Sequence, residues 1–557
     1  MSGMREKKRS AFKFDFWAGI KLITVVFLLL FLVYPLSKLV INSFTPQEGT
    51  GFTLQNFADF FKLKYYYSTL GHSIICCLSA TAAAIIIGVP LAYAMTRYNV
   101  LGKKLINILI IMSLMSPPFI GAYSWIVLLG RSGSVTRFFE SIGIITPTIY
   151  GYFGIVLVFS LKFFPYVYLF VSGAMSSIDR SLEEAAENLG SNKVRRFFTI
   201  TMPVVMPSLA AGAIMVFMAS IADFGTPMLI GEGYKVLPVL VYEEYMSEMG
   251  GNANMASSLS IIVILVTTIV LLFQKYMVSR KNYVMTALRP PLMVKLKPVK
   301  RILLTAACLI ITLLAFLPQI VVVENSFKAT NGPVFVPGQY NLESYKTILY
   351  KLSGNITNTF TYSIAAILVI IVLGMLASYV IVKQKSKFTG LIDVLIMFPY
   401  VIPGAVLGIS LLVAFNKPPL ILTGTSIILI ASYVIRKLPY TIRSSSAILY
   451  QIDQSIEEAS ISLGVSPMKT FFKVTARLMA PGVFSGAILS WITTINELSS
   501  SVMLYTGKTA TISVAIYTEV VRNSYGTAAA LAAILTVSTI ASLLIFFAVS
   551  KGKVSVI

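Results

Sequence analysis

Apolar residues along this chain come in long unbroken runs, separated by short segments that hold nearly all the charge. The runs lie at about 18–41, 71–96, 105–130, 150–175, 204–230 and 257–278, then at about 302–323, 358–383, 391–415, 421–446, 479–505 and 527–550. Each is long enough for a helix to cross the hydrocarbon core of a bilayer, which takes about 20 residues. The pattern predicts an all-α membrane protein with twelve transmembrane helices, six in each half. The first run continues into Tyr34-Pro35-Leu36 with no small-residue cleavage site, so it is expected to be a retained helix and not a signal peptide.

Two of the polar interruptions repeat one another. Ser181-Leu-Glu-Glu-Ala-Ala-Glu-Asn-Leu-Gly190 and Ser455-Ile-Glu-Glu-Ala-Ser-Ile-Ser-Leu-Gly464 each place a serine three residues before a glutamate (Glu184, Glu458) and a glycine two turns later. That spacing predicts a short helix opened by a capping box and closed at the glycine. Asn192 in one copy and Ser466-Pro467 in the other suit the start of a second helix, and a Phe-Phe pair follows, Phe197-Phe198 and Phe471-Phe472. Glu184 and Glu458 are 274 positions apart, and the same offset matches Lys162 with Arg436, Pro165-Tyr166 with Pro439-Tyr440, and Pro207 with Pro481. Upstream the offset becomes 286, matching Gly88 with Gly374 and Tyr93 with Tyr379. An even number of spans per half makes both halves cross in the same sense, so their pseudo-twofold axis runs along the membrane normal. The expected division is 1–278, a basic linker 279–301, and 302–557.

Composition agrees with this picture: 56% of residues are hydrophobic and 12% charged, against about 25% charged in soluble domains. The formal charge of +23 comes from cations that flank the spans and form no groove-sized patch, which argues against nucleic acid as a partner. Arg97, Lys103, Lys104, the 180–196 cluster, the linker, Lys383, Lys385, Lys387, the 469–477 cluster, Lys551 and Lys553 fall on the side that also holds the basic residues of 1–13. The positive-inside rule assigns that side, with both termini and both repeated short helices, to the cytoplasm. Cys76, Cys77 and Cys308 lie in apolar runs without metal-ligand spacing, and the single histidine, His72, reads as a polar residue near an interface. No metal site and no catalytic constellation is expected.

Glu-Ala-Ala, three residues, Gly, nine residues, Ile-x-x-Pro is met in full at Glu184, Ala185, Ala186, Gly190, Ile200 and Pro203. It resembles the cytoplasmic signature of binding-protein-dependent ABC importer permeases. The second copy keeps Glu458, Ala459 and Gly464 but has Ser460, Val474 and Arg477 in place of Ala, Ile and Pro. The resemblance implies two fused six-helix permease domains with coupling segments 181–203 and 455–477, in a bacterial inner membrane. It implies coupling roles for Glu183, Glu184, Ala185, Ala186, Gly190 and Pro203, and for Glu457, Glu458, Ala459 and Gly464. It further implies docking onto two cytoplasmic ATPase subunits that carry ATP and Mg, no cofactor in this chain, and cargo delivered by an external binding protein. The leucines Leu182 and Leu189, with Ile456 and Leu463 in the second copy, give these short helices more apolar surface than a loop needs.

The 274 offset also pairs Asp223 with Glu497, inside the fifth run of each half. A charge there costs at least about 2.5–3.5 kcal/mol and normally faces a cavity or a partner. Asp223, Glu497 and the adjacent Asn496 are therefore candidates for the translocation pathway, with pairing to Lys162 or Arg436, or capping of a broken helix, as the structural alternatives. Ala222-Asp-Phe-Gly-Thr226 is similar to the matching stretch of ferric-iron permeases, which implies iron as the cargo. Permeases for aminoethylphosphonate, thiamine or polyamines, or an ion-coupled secondary transporter using Asp223 and Glu497, are the alternatives. Gly507-Lys508-Thr509 imitates the end of a phosphate-binding loop but lacks the earlier glycine, since position 502 is Val502.

Overall fold

A computed structural model describes residues 16–47, 51–114, 116–117, 119–247, 251–279, 293–332 and 334–549. The basic residues of 1–13, linker residues 280–292, Lys551 and Lys553 lie outside the described residues, as does the side chain of Glu183. Among the described residues nine helices are long and apolar enough to cross a membrane, and Lys387–Val401 with Gly404–Phe415 forms a tenth if the bent pair counts as one span. The expected run 421–446 is the helix Ser426–Leu449, which carries Arg436, Lys437 and Arg443. The run 105–130 is two helices, Lys103–Leu114 and Ile120–Leu129.

Proline accounts for the breaks. Ser116-Pro117 separates the two helices of the third run. In the second half Ile402, forced out of the helical region by Pro403, has φ −80° and ψ 123°, and the two helices meet at 111°. The fifth runs also stop earlier than expected, at Ala222 and Ile495. Short helices follow each: Gly225–Ile230 and Leu237–Met246 in the first half, Ser501–Leu504 and Ile512–Val521 in the second. The sequence expectation of an all-helical chain misses one hairpin, Lys328–Asn331 with Val334–Tyr340, paired antiparallel with Asn331 opposite Val334. Gly332-Pro333 is a turn signal that could have found it.

The repeat is reproduced element by element at the 274 offset. Tyr152–Ser176 corresponds to Ser426–Leu449, Arg180–Asn188 to Gln454–Ser462, and the π-turns Phe197–Thr201 and Phe471–Thr475 to each other. Packing does not respect the division of the chain, however. Trp17 of the first span stacks on Tyr379 of the second half at 4.4 Å, and Phe31 and Tyr34 of that span sit against Phe415. Reciprocally, in the first span of the second half, Pro298–Asn325, the Pro318 carbonyl accepts from Ser124 (2.8 Å) and Thr305 from the Leu101 N–H (3.1 Å). Each half thus lends its first helix to the other, an exchange that symmetric repeats permit without losing local contacts. The described end of the linker is bound rather than loose: Val294 N–H donates to the Arg97 carbonyl (2.8 Å) and Leu296 N–H to Asn99 (3.0 Å).

Small residues let the central helices touch backbone to backbone. A Cβ on Gly486 would lie 2.5 Å from Thr441 Cα and 3.0 Å from the Tyr440 carbonyl, atoms that cannot rotate away. Its repeat partner Gly212 is looser, with Val167 Cα at 3.1 Å. Gly486→Ala is expected to cost about 1–3 kcal/mol by overpacking, and Gly212→Ala less, as thermal unfolding in detergent would show.

Candidate functional site

The short helices are capped two residues earlier than the serines suggest. The Asp179 carboxylate accepts from Ser181 N–H (2.8 Å) and Asp453 from Ser455 N–H (2.9 Å), so the helices run Arg180–Asn188 and Gln454–Ser462. A carboxylate reaches the second free N–H of the first turn, which is the donor a cap must satisfy. This bond holds the Asp453 carboxyl below its ordinary value. Its contribution to the helix is therefore complete at neutral pH and is lost only as the pH falls through that lowered value. Both helices end as expected: Gly190 and Gly464 have φ 77° and 83°, and Ser191 and Val465 N–H donate back to the Ala186 and Ser460 carbonyls (2.9 and 3.2 Å). Asn192 then caps the next helix through Arg195 N–H (2.8 Å), which runs on through the π-turn into the fifth span. The Phe-Phe pairs anchor this corner, with Phe197 on Tyr93 at 5.2 Å and Phe471 on Tyr379 at 4.9 Å.

The two copies present unequal surfaces. In the first, the Glu184 carboxylate pairs with Arg180, Glu187 pairs with Arg196 (2.7 Å), Ala186 is buried and Leu189 stands 88% exposed. In the second, Ser460, one of the three residues that depart from the signature, shares a hydrogen bond with Thr470 (2.9 Å), and Glu458 accepts from Gln454 (2.9 Å). Glu457 faces inward: it accepts from Thr475 (2.8 Å) and lies 3.7 Å from Lys383 Nζ. It thereby ties the short helix to the ends of two spans. Lys383 and Thr475 were invisible as site residues in the sequence because they are 74 positions before and 18 after Glu457. Leu463, 84% exposed, matches Leu189. Pro203 starts the fifth span.

At the centre, Asp223 and Glu497 take both structural alternatives at once. Asp223 receives Lys162 Nζ at 2.7 Å and caps Gly225–Ile230 through Thr226 N–H at 2.9 Å. Glu497 pairs with Arg436, receives Lys437 Nζ at 2.8 Å and accepts from Ser500 N–H at 3.2 Å. These caps explain why the fifth helices stop where they do. All five charged groups, with Asn496, nonetheless line one cavity of about 450 Å³ between the halves, so the acids are both paired and exposed to that space. Leu114, Ser116 and Tyr400, at the broken helices, line it too. Met215 and Ala219 line its flank toward the short helices. Beyond Asp223, an aromatic wall joins the halves: Phe119 stacks on Tyr517 (5.4 Å), Phe224 packs on Tyr242 (4.9 Å), and the Tyr242 and Tyr517 hydroxyls are 3.2 Å apart.

The remaining sequence candidates are structural. His72 is bonded to the Lys235 carbonyl (3.0 Å) and stacked on Tyr234. The three cysteines are buried and unpaired, and Thr509 of the loop-like Gly507-Lys508-Thr509 accepts from Thr506 N–H within a turn (2.9 Å). Among the described residues no group of three His, Cys, Asp or Glu side chains could hold a metal ion.

Comparison with known proteins gives the same outline. The family model described as the binding-protein-dependent transport system inner membrane component matches residues 84–283 and again 370–554. The ferric transport system permease protein FbpB of Actinobacillus pleuropneumoniae is 28% identical over 96% of this chain and 78% of its own length. A putative ferric transport system permease of Haemophilus influenzae is 27% identical over 87% of the chain and 77% of its own. The molybdenum transport system permease protein ModB of Escherichia coli is 27% identical over 38% of this chain and 95% of its own length.

Proposed function

Because the chain belongs to the family of binding-protein-dependent transport system inner membrane components, we propose that it is the translocating subunit of an ATP-driven importer for ferric iron. It is a multi-pass inner-membrane transport permease, not an enzyme. In the proposed assembly two cytoplasmic ATPase subunits, holding ATP and Mg, seat on Arg180–Asn188 and Gln454–Ser462, with both termini on that side. The units 1–278 and 302–557 act as its two permease domains, and an external binding protein delivers cargo at the aromatic-wall end. Closing of the ATPases would draw the two short helices together and open that wall. The conformation seen, with the cavity on the coupling side of Asp223 and Glu497, corresponds to the inward-facing state.

The observation that carries this reading is the pair of capped helices at one sequence offset, each with a leucine left exposed at its end. Iron rests on the names of the relatives that match most of the chain. The rival use of Asp223 and Glu497 as coupling carboxylates of a secondary transporter is disfavoured, because each already holds a cation. The test is Glu184→Lys and Gly190→Asp, made separately in the complex with its ATPase and binding protein. Both are expected to lose uptake and binding-protein-stimulated ATP hydrolysis; survival of both activities with normal assembly would sink the coupling assignment.

A further inference from the structure

The central cavity is made from two repeats, yet its two sides carry different charge. On the first side Lys162 faces Asp223, one cation to one anion. On the second, Arg436 and Lys437 share Glu497, two to one. The odd residue is Lys437: 274 positions earlier the repeat has Phe163, which also lines the cavity. With one positive charge left over among its lining residues, the space is electropositive.

Hydrogen-bonding character points the same way. Lysine and arginine offer only donors, and the two carboxylates, the strongest acceptors present, are already engaged by those cations and by backbone N–H groups. Tyr166 and Tyr440 add hydroxyls to the lining, while the Tyr400 hydroxyl is already donated to Met215 Sδ (3.4 Å). A bare cation entering would meet three cationic heads in a space of low dielectric, whereas an oxygen-rich anion would meet donors on both sides.

Resting on the importer reading above, we propose that the cargo crosses this cavity as an anion. It is either a free oxyanion or a metal ion enclosed by oxyanion or carboxylate ligands so that the whole is negative. Lys437 is the residue that sets this preference, and the second half is the side on which the cargo is held.

The test uses the complex with its ATPase and binding protein in proteoliposomes. Lys437→Met is expected to lower uptake tenfold or more, while Lys437→Arg keeps at least half. ATP hydrolysis stimulated by the loaded binding protein is measured in wild type alongside, as the separate check on the importer reading. Asn496→Asp, which cancels the excess charge without removing a member of any ion pair but gives up the Nδ2 bonds to the Ile492 carbonyl and Thr539 (2.9 and 3.3 Å), should lower uptake as Lys437→Met does in protein that still co-purifies with the ATPase, and it covers the case in which Lys437→Met fails to assemble. Two probes separate the sources: ferric iron with both metal and citrate or phosphate labelled, and labelled molybdate. Entry of metal together with its labelled anion supports a complex as cargo, and entry of molybdate alone supports a free oxyanion. Metal entering with neither anion, or uptake unchanged or raised in Lys437→Met and Asn496→Asp, overturns the inference while stimulated ATP hydrolysis still upholds the importer. Absence of any stimulation in wild type overturns both.

Discussion

Leu189→Asp is expected to cut ATP-driven uptake at least tenfold and to weaken co-purification of the ATPase subunits, with the stability of the isolated chain unchanged. Leu189 is 88% exposed at the end of its short helix, so nothing in the chain's own fold depends on it. Substitution at such a position normally moves stability by about 0.5 kcal/mol or less. A leucine seated in a partner's pocket is a different matter, since truncating an anchor costs about 2 kcal/mol or more of binding, and a buried carboxylate adds its desolvation. The same change at Leu463, 84% exposed, is expected to do less. The second copy lacks the full signature, having Ser460, Val474 and Arg477 where the first has Ala186, Ile200 and Pro203. Co-purification indifferent to both substitutions would mean that these helices are not the seats of the ATPases.

Glu497→Ala should act through the fold instead. It removes the one anion that neutralises both Arg436 and Lys437, and it removes the acceptor of Ser500 N–H. Breaking a buried pair by deleting one partner costs about 3–5 kcal/mol because a charge is left uncompensated, and here two are left. The expected result is little monodisperse protein after detergent extraction and a thermal transition well below wild type. Asp223→Ala strands only Lys162, whose surroundings are less buried than those of Lys437, and should be milder. Adding Lys437→Met to Glu497→Ala should recover part of the loss by removing one of the stranded cations. A Glu497→Ala protein as stable as wild type would show that water reaches these cations freely.

These two expectations bear on one property of the molecule, the inequality of its repeats. The first half keeps the complete coupling signature, with Glu187 paired to Arg196 where the second half has Ile461 and Thr470, and Thr470 bonds to Ser460 instead. The second half keeps the charged side of the cavity, with Lys437 where the first has Phe163 and Asn496 where it has Ala222.

The sequence by itself determined that the chain lies in a membrane, that it is doubled, and that two short helices interrupt the spans at matching places. Each of these rests on local properties: the transfer energy of about 20 consecutive residues, the φ > 0 that a glycine permits at a helix end, and a nearby capping side chain, which proved to be Asp179 or Asp453 and not the expected serine. It also singled out Asp223 and Glu497, because an isolated charge stands out in an apolar run, although both lie just past the ends of the fifth helices. The tertiary structure decided what these acids do. Their cations lie 61 positions away on another helix, and whether two helices turn those faces to each other is not a property of either one. The exchange of the first spans and the cavity at the broken helices are of the same kind. Mean hydropathy fixes that a segment is buried, but not against which neighbour, since lipid and another helix are almost equally apolar. Only the packed chain, by choosing the neighbours, made Lys437 a second cation on one carboxylate and left the cavity positive.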